Sequence, residues 1–432
     1  MSDGSGPDGT GAGRAGAWLG LWSAAGHAIS PLAEPLLRRR LARGKEDPSR
    51  WREKLGEATA ARPPGRLAWL HAVGLGEVLA LRGLIAELAE RAPDLSFLVT
   101  STARSAAVAT ARNLPPRTVH QFLPLDLPGP RRRFLDHWHP DLSIWSEQDL
   151  WPGLVGEAAA RGIPLALVNA RMNAAAYRRR LPARALYGPL LGSFDLIAAQ
   201  DPETARNLAA LGAPAPVAVT GSLKPAAPPL ADDPAARAEV EAALAPRPVW
   251  LAASTHAEDE SVVLTAHRLL TDAAPEILLL LVPRQPDRGP EIAAAARAAG
   301  LAPVLRSQGA LPAPGVQVYI ADTIGELGIW YRLAPAALVG GSFGPVNGHN
   351  PWEPARLGCA ILHGPNTANF AADYATLHAA GGARLVRSAP EIVAALGDPA
   401  LARMADTARA LADTHAAGVR DLARDLVGLM TP

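Results

Sequence analysis

The feature that most constrains this chain is a repeated alternation of short apolar runs with helical stretches, played through twice with one break between. The first series predicts strands at Leu67 to Val73, Leu95 to Thr100, Leu142 to Trp145, Leu165 to Asn169, Leu196 to Ala199 and Val217 to Thr220. Helices are expected from Glu77 to Arg91, from Ala103 to Arg112 and after Trp151. A stretch rich in Pro, Ala and Asp then runs from Lys224 to Pro234. Beyond it the alternation restarts, with strands at Val249 to Ala253, Ile277 to Val282, Val316 to Ile320, Ala337 to Val339 and Ala360 to His363. Helices begin at Glu258, Glu291 and Gly325, another follows Pro354, and residues 389–430 read as helical. Such alternation predicts parallel sheets covered by helices on both faces. The chain is therefore expected to be α/β, with two doubly wound domains at 61–224 and 236–432 joined by a linker at 225–235. In open parallel sheets ligands bind beyond the carboxyl ends of the strands. With two such domains, the natural site is the cleft between them.

Composition narrows the partners. The 432 residues are 49% hydrophobic and carry a formal net charge of +1. A core for two or three domains is available, and global charge predicts no nucleic-acid partner. The single cysteine, Cys359, lies in the apolar run Cys359-Ala360-Ile361-Leu362. It has no second cysteine to pair with in the chain. Residues 1–16 are Gly-rich and expected to be disordered. From Ala17 a less polar stretch runs to Leu37, about 30 Å long as a helix, but Pro31, Glu34 and Pro35 interrupt it. No basic region precedes it, so a secretory leader is not expected. Trp18, Trp22, Ile29, Leu32 and Leu36 recur near helical spacing, and Arg38, Arg39, Arg40, Arg43, Lys45, Arg50, Arg52 and Lys54 follow. An apolar face beside a basic cluster suits an anionic membrane surface, so 17–60 is read as a membrane-associating segment. The competing reading is a helix that caps the first domain.

The polar residues with chemistry to offer sit where the expected strands end. Gly74-Leu75-Gly76-Glu77 leads from a strand into a helix, whose positive end favours an ionised Glu77. That is the form a general base needs, although a Glu at this place also serves its own helix end. Glu147-Gln148-Asp149 follows another strand before Pro152 opens a helix; Asp149 can cap it, and Glu147 has no such duty. In the second series, Thr255 and Glu258 match a capping box, and Arg284 is placed to reach an anion. The Asp322–Leu327 segment opens a helix whose free N–H groups suit a phosphate. Gly348-His349-Asn350-Pro351-Trp352-Glu353 concentrates amide, imidazole and carboxylate ahead of another. No GxxxxGK[ST] or GxGxxG fingerprint is present, which disfavours a P-loop or dinucleotide enzyme. His71, His256 and His349 lack metal-ligand spacing, so neither metal nor other cofactor is expected.

An ordered set of segments carries a resemblance over about Arg52 to Phe370. It comprises RWREKLG from Arg50, WLHAVGLGEV from Trp69, LPLDLPGPRRRFL from Leu123, EQDLWP from Glu147, VNAR from Val168, VTGSLK from Val219 and AASTH from Ala252. PRQPDR from Pro283, DTIGELG from Asp322, GGSFGPVNGHNPWEP from Gly340 and GPNTANF from Gly364 complete it. Together they resemble the 3-deoxy-D-manno-octulosonic acid (Kdo) transferase family. The resemblance implies a GT-B fold with the active site in the interdomain cleft, and inverting transfer of Kdo from CMP-Kdo to a lipid A precursor. It implies a location on the cytoplasmic face of a bacterial inner membrane. It makes Glu77 the base that activates the acceptor hydroxyl, with Glu147 and Lys224 stabilising the transition state. Pro283, Arg284, Ile324, Gly325, Glu326, Asn350, Pro351, Trp352 and Glu353 match CMP-binding segments. The chain departs from the family pattern at Gly74 (usually Ser), Gln148-Asp149 (usually Thr-Glu), Asn173 (usually Ser), Pro225-Ala226 (usually Phe-Asp) and Gln285 (usually His). Two other functions fit the sequence: a GT-B transferase or epimerase using another nucleotide sugar, and a catalytically inactive lipid-binding paralogue.

Overall fold

In the computed structural model, residues 10–102, 115–147, 150–214, 216–226, 228–244 and 247–430 are described. The chain divides into two compact units, Met1–Pro228 with His415–Pro432, and Pro229–Thr414. The final helix, Leu401–Gly428, starts in the second unit and ends in the first.

The first unit is built on β1 (Leu67–His71), β2 (Ser96–Ser101), β3 (Thr118–Phe122), β4 (Leu142–Ser146), β5 (Leu165–Ala170), β6 (Leu196–Ala199) and β7 (Ala218–Val219). They form one seven-stranded sheet in the order β3-β2-β1-β4-β5-β6-β7, every neighbouring pair parallel. Parallel strands covered on both faces read as unbroken apolar runs, and β1 is buried at all of its positions. On one face Leu70, Phe97, Ile144 and Val168 pack against Leu81 and Leu84 of helix Leu75–Arg91; Val419, Leu422 and Leu426 of the final helix join them. On the other, Trp69, Trp145 and Leu167 meet Phe134, Trp138 and Leu154. Each such side chain contributes about 1.5–3 kcal/mol when fully buried.

The second unit repeats the plan with β8 (Val249–Thr255), β9 (Leu278–Pro283), β10 (Pro303–Leu305), β11 (Val318–Ile320), β12 (Ala336–Val339), β13 (Ala360–His363) and β14 (Ala383–Leu385). Their order is β10-β11-β9-β8-β12-β13-β14, again wholly parallel. In both sheets the winding reverses at one place, between β1 and β4 and between β8 and β12. These are the switch points at which open α/β sheets hold ligands.

Three strands escaped the sequence reading: β3, β10 and β14. Each lies at the edge of its sheet, where one side of the strand has no partner and the apolar run is short. The helix Pro128–Trp138 entered the sequence reading only within the segment LPLDLPGPRRRFL; its Arg131 is buried between Asp126 and Glu157. The helix expected at 103–112 lies outside the described residues.

The first helix runs Thr10–Ala42, so it begins inside the stretch expected to lack structure. Ala33 and Leu37 seat it on Trp51, Leu55 and Leu127. Ile29, Leu32 and Leu36 stay 56%, 66% and 57% exposed. Trp22 is also exposed, and its indole donates to Asp126 Oδ2 at 2.9 Å. Among the described residues no helix is long and apolar enough to cross a membrane. Much of the basic run is neutralised locally. Arg38 pairs with Glu34, Arg40 and Lys54 with Glu46, Arg50 with Glu53 and Arg52 with Glu57, leaving Arg39, Arg43 and Lys45 with no ion pair among the described residues.

Candidate active site

In the first unit, the ends of β1 and β4 are adjacent, with Leu70 opposite Ile144 and His71 opposite Trp145. The two loops that carry candidate carboxylates therefore leave the sheet side by side. Glu77 sits in the first turn of Leu75–Arg91, where its Oε2 accepts from the N–H groups of Val73 (2.8 Å) and Gly74 (3.2 Å). That holds the carboxylate in one rotamer. Its Oε1 makes no hydrogen bond among the described residues and is the oxygen left for a proton. Both sequence readings of Glu77, as helix-end residue and as base, are compatible with this geometry.

Glu147 leaves β4 with φ +62, a left-handed conformation rare for a side chain of this kind. Such residues cluster at functional sites, where the surrounding structure must hold them. Its N–H donates to Val168 O at 3.0 Å. Burial pushes the Glu147 carboxyl above its ordinary range and the Glu77 carboxylate raises it further, while Lys224 and Arg171 pull it back. Glu77, Glu147, Lys224 and Arg171 therefore share one electrostatic field. Gln148 and Asp149 lie outside the described residues.

Lys224 is held by a device that the sequence reading missed. Asn169, 1% exposed and at φ +54, ends β5. Its Oδ1 accepts from Leu223 N at 3.1 Å and Gln200 Nε2 at 2.9 Å. The segment before Lys224 is thus tied to the sheet. VNAR was recognised as a segment, but nothing in it said that the amide would reach 54 residues along the chain.

In the second unit the candidate residues come from the ends of β8, β9, β11, β12 and β13. The centre is Asp259, which is fully buried. Its Oδ2 accepts from His256 N (2.9 Å) and Gly341 N (2.7 Å), and its Oδ1 from Ser342 N (3.1 Å) and Phe343 N (3.0 Å). One carboxylate therefore fixes the start of a helix and the whole Gly-Gly-Ser-Phe turn. The capping box read at Thr255 and Glu258 is thereby corrected by one residue, to His256 and Asp259. Thr255 instead ends β8, where its hydroxyl donates to Glu260. Gly341 takes φ +67, and Gly340 lies so near Ser254 that a Cβ would meet its carbonyl oxygen at 2.5 Å.

His256 and His349 stack with their Nε2 atoms 3.0 Å apart. Burial, then the Arg284 guanidinium and His256, lower His349 to about 4. Burial pushes the Glu353 carboxyl up, while Asn350 and Arg284 oppose it. Arg284, His349, Asn350 and Glu353 thus form one cluster. Arg284 itself is exposed, and its N–H donates to Thr255 O at 3.0 Å. Pro283 is buried beside it. Pro351 and Trp352 are positioned inward: the Trp352 ring lies in the core and its indole donates to Asp373 at 2.9 Å. Its N–H donates to Asn350 Oδ1 at 3.1 Å, which orients that amide.

The Ile324–Glu326 turn forms its own group at the exit of β11, beside β9. Arg306 binds Glu326 at 2.9 Å, and the Thr323 hydroxyl donates to the same carboxylate. Ile324 is 88% exposed and Gly325, at φ +93, has open space around it. Among the described residues, no three His, Cys, Asp or Glu side chains gather as metal ligands.

Comparison with known proteins bears on this geometry directly. The family model described as 3-deoxy-D-manno-octulosonic-acid transferase (kdotransferase) matches residues 49–227, the span holding Glu77, Glu147, Asn169 and Lys224. The 3-deoxy-D-manno-octulosonic acid transferase of Bordetella pertussis is 37% identical over 378 residues, covering 83% of this chain and 84% of its own. The chain belongs to the Kdo transferase family. It is therefore a glycosyltransferase by family. Two solved structures share its fold. UDP-GlcNAc 2-epimerase from Neisseria meningitidis has a TM-score of 0.51 at 14% identity, covering 84% of this chain and 99% of its own. MurG from Acinetobacter baumannii has a TM-score of 0.50 at 16% identity, covering 84% and 100%. The two wound sheets are those of a GT-B protein. Against the Kdo transferase pattern, two departures have a visible structural reading. Asn173 caps its helix by accepting from Ala176 N at 2.9 Å, a duty the usual Ser performs equally. Gly74 occupies an N-cap position with extended backbone, where a Cβ would meet nothing closer than Glu77 Oε1 at 4.0 Å.

Proposed function

We propose that this protein transfers Kdo from CMP-Kdo to a lipid A precursor, with inversion at the anomeric carbon. The observation that carries the reading is the shared field of Glu77, Glu147 and Lys224 at the β1/β4 switch point, inside the span matched by the Kdo transferase model. An acceptor hydroxyl attacks the anomeric carbon while the bond to CMP breaks, and CMP departs with the bonding electrons. Glu77 Oε1 receives the hydroxyl proton; a positioned base contributes about 10²–10⁴-fold. Positive charge grows on the sugar ring, and an ionised Glu147 opposes it. The leaving monophosphate needs positive charge, which Arg284 supplies. Pro283, Arg284, the Ile324-Gly325-Glu326 turn and Asn350 to Glu353 form the CMP site in this reading. Within it Arg284 takes the phosphate, Glu353 accepts from hydroxyl groups, and Pro351 and Trp352 hold the loop.

The first helix supplies the membrane contact. Its support is the exposed row Ile29, Leu32 and Leu36 on a helix whose opposite face is seated on Trp51 and Leu55. Lying in the interface suits this helix better than crossing, given Pro31 and Pro35 within it. The location proposed is the cytoplasmic face of a bacterial inner membrane. The acceptor's phosphates are assigned to Arg178 and Arg179, which are exposed, rather than to Arg131, which is committed to Asp126 and Glu157, or Arg133, which donates to Leu55 O at 2.9 Å. The experiment is incubation with CMP-Kdo and a tetra-acylated lipid A precursor, followed by product mass. Addition of Kdo is expected. Turnover of a UDP-sugar in its place assigns the chain another donor.

A further inference from the structure

The largest cavity among the described pockets lies away from all these residues, along the edge strand β14. It encloses about 720 Å³ between β14, the end of helix Ala371–Ala380 and the first turns of Leu401–Gly428. Volumes of this order are typical of small-molecule sites. Its walls carry Arg384, Arg387, Arg403 and His378, over an apolar floor that includes Leu385 and Met404. Arg384 is paired with Asp398 at 2.7 Å. Neither Arg387 nor Arg403 makes an ion pair among the described residues, although Arg403 lies within the field of Asp398. Glu391 accepts from the Arg387 backbone N–H at 3.0 Å. The cavity is therefore a concave surface with guanidinium charge in excess, and such surfaces recognise phosphate and related oxyanions.

A second observation links this cavity to the nucleotide-facing loops of the same unit. His378 Nε2 lies 2.7 Å from His363 Nε2 at the end of β13. His363 Nδ1 lies 2.7 Å from Gly364 O, and Gly364 N donates to Ser342 Oγ at 2.8 Å. Ser342 is in the turn fixed by Asp259. His363 is buried and His378 exposed; imidazoles so close share one proton between their Nε2 atoms and cannot hold two without separating. Along the cavity with His378 lie Arg384 on β14, Arg387 beyond it and Arg403 on the final helix; His363 from β13 meets its ring, and Tyr374, on the helix of His378, packs its ring against His363. Burial lowers His378 and a hydrogen bond with the Ala383 backbone raises it; a dianion bound among these arginines favours its charged form.

We propose that the cavity along β14 is a second anion site, for a small soluble phosphate monoester, with His378 as its proton-linked wall. A free molecule is favoured over a lipid headgroup because none of the protein's exposed large hydrophobic residues lines the cavity. The inference is independent of which donor the enzyme uses.

The test uses the full chain saturated with CMP, so that the nucleotide site is filled. Sulfate is the probe, because its charge is constant between pH 6 and pH 8, and radiolabelled sulfate is followed by equilibrium dialysis at fixed ionic strength. The expected result is one sulfate per chain, bound at least about tenfold more weakly by Arg387→Ala/Arg403→Ala. Wild-type binding should tighten from pH 8 to pH 6, and His378→Gln should flatten that dependence. Both arginines are exposed, and CMP affinity equal to wild type verifies that the double variant is folded. No saturable sulfate binding, or binding unchanged in the double variant, overturns the site. A pH dependence that survives in His378→Gln overturns the role of the histidine. Anionic vesicles that displace sulfate as well as free glycerol phosphate does would overturn the assignment to a soluble ligand.

Discussion

Glu77 and Glu147 are both carboxylates at strand ends, held in different ways. Two backbone N–H groups fix the Glu77 side chain in one rotamer. Glu77→Gln keeps the size but removes proton-accepting capacity, so turnover should fall by about 10²-fold or more while CMP affinity stays unchanged. A melting curve accompanies this assay, because the helix end loses about 0.3–1 kcal/mol with the charge. Near-wild-type turnover would make Glu77 a helix-end residue only. Glu147 is raised by burial and by Glu77. Its folded-state carboxyl therefore binds a proton at pH values where the unfolded chain has lost it. Stability falls as pH rises from the ordinary carboxylate value through the raised one. Glu147→Gln should accordingly melt higher than wild type near neutral pH while turning over more slowly. The stability difference should shrink below the ordinary carboxylate range, where both forms are neutral. A variant less stable at neutral pH would show that the charge is well compensated.

At the scale of elements, the central strands were legible because burial on both faces writes them as apolar runs. Leu165 to Asn169 and Ala360 to His363 needed little else. The edge strands β3, β10 and β14 were not legible: Thr118-Val119-His120 is only partly buried, and the other two strands are three residues each. Among candidate site residues, Glu77, Glu147 and Arg284 stand out in the sequence by their place after strands, and Lys224 by the family resemblance. Asp259 was hidden between Glu258 and Glu260 in an acidic first turn, because three of its four bonds close through residues 82–84 positions away. Asp259→Asn keeps the shape but turns one acceptor oxygen into a donor facing backbone N–H groups. The loss should be about 1–3 kcal/mol or more, since a buried charged acceptor is removed. Calorimetry should also find CMP binding weakened through the displaced turn; unchanged melting and binding would contradict this account of the loop. The first helix carries its own prediction. Ile29→Glu, Leu32→Glu and Leu36→Glu combined alter only exposed positions, so melting and CMP binding should persist while co-sedimentation with anionic vesicles is lost. Undiminished co-sedimentation would move the membrane contact to Arg178 and Arg179.

The two wound sheets follow one plan, and each ties loops at its strand ends with a buried polar residue, Asn169 in one and Asp259 in the other. Family membership and the common field of Glu77, Glu147 and Lys224 lead to one central claim, transfer of Kdo from a CMP donor. The most direct measurement is mass analysis of the lipid product from CMP-Kdo and a tetra-acylated lipid A precursor, run beside Glu77→Gln. A product heavier by one or more Kdo residues, formed by wild type and reduced by about 10²-fold in the variant, is the predicted result. An unmodified acceptor with wild-type protein that binds CMP, or equal product from both proteins, would contradict the account.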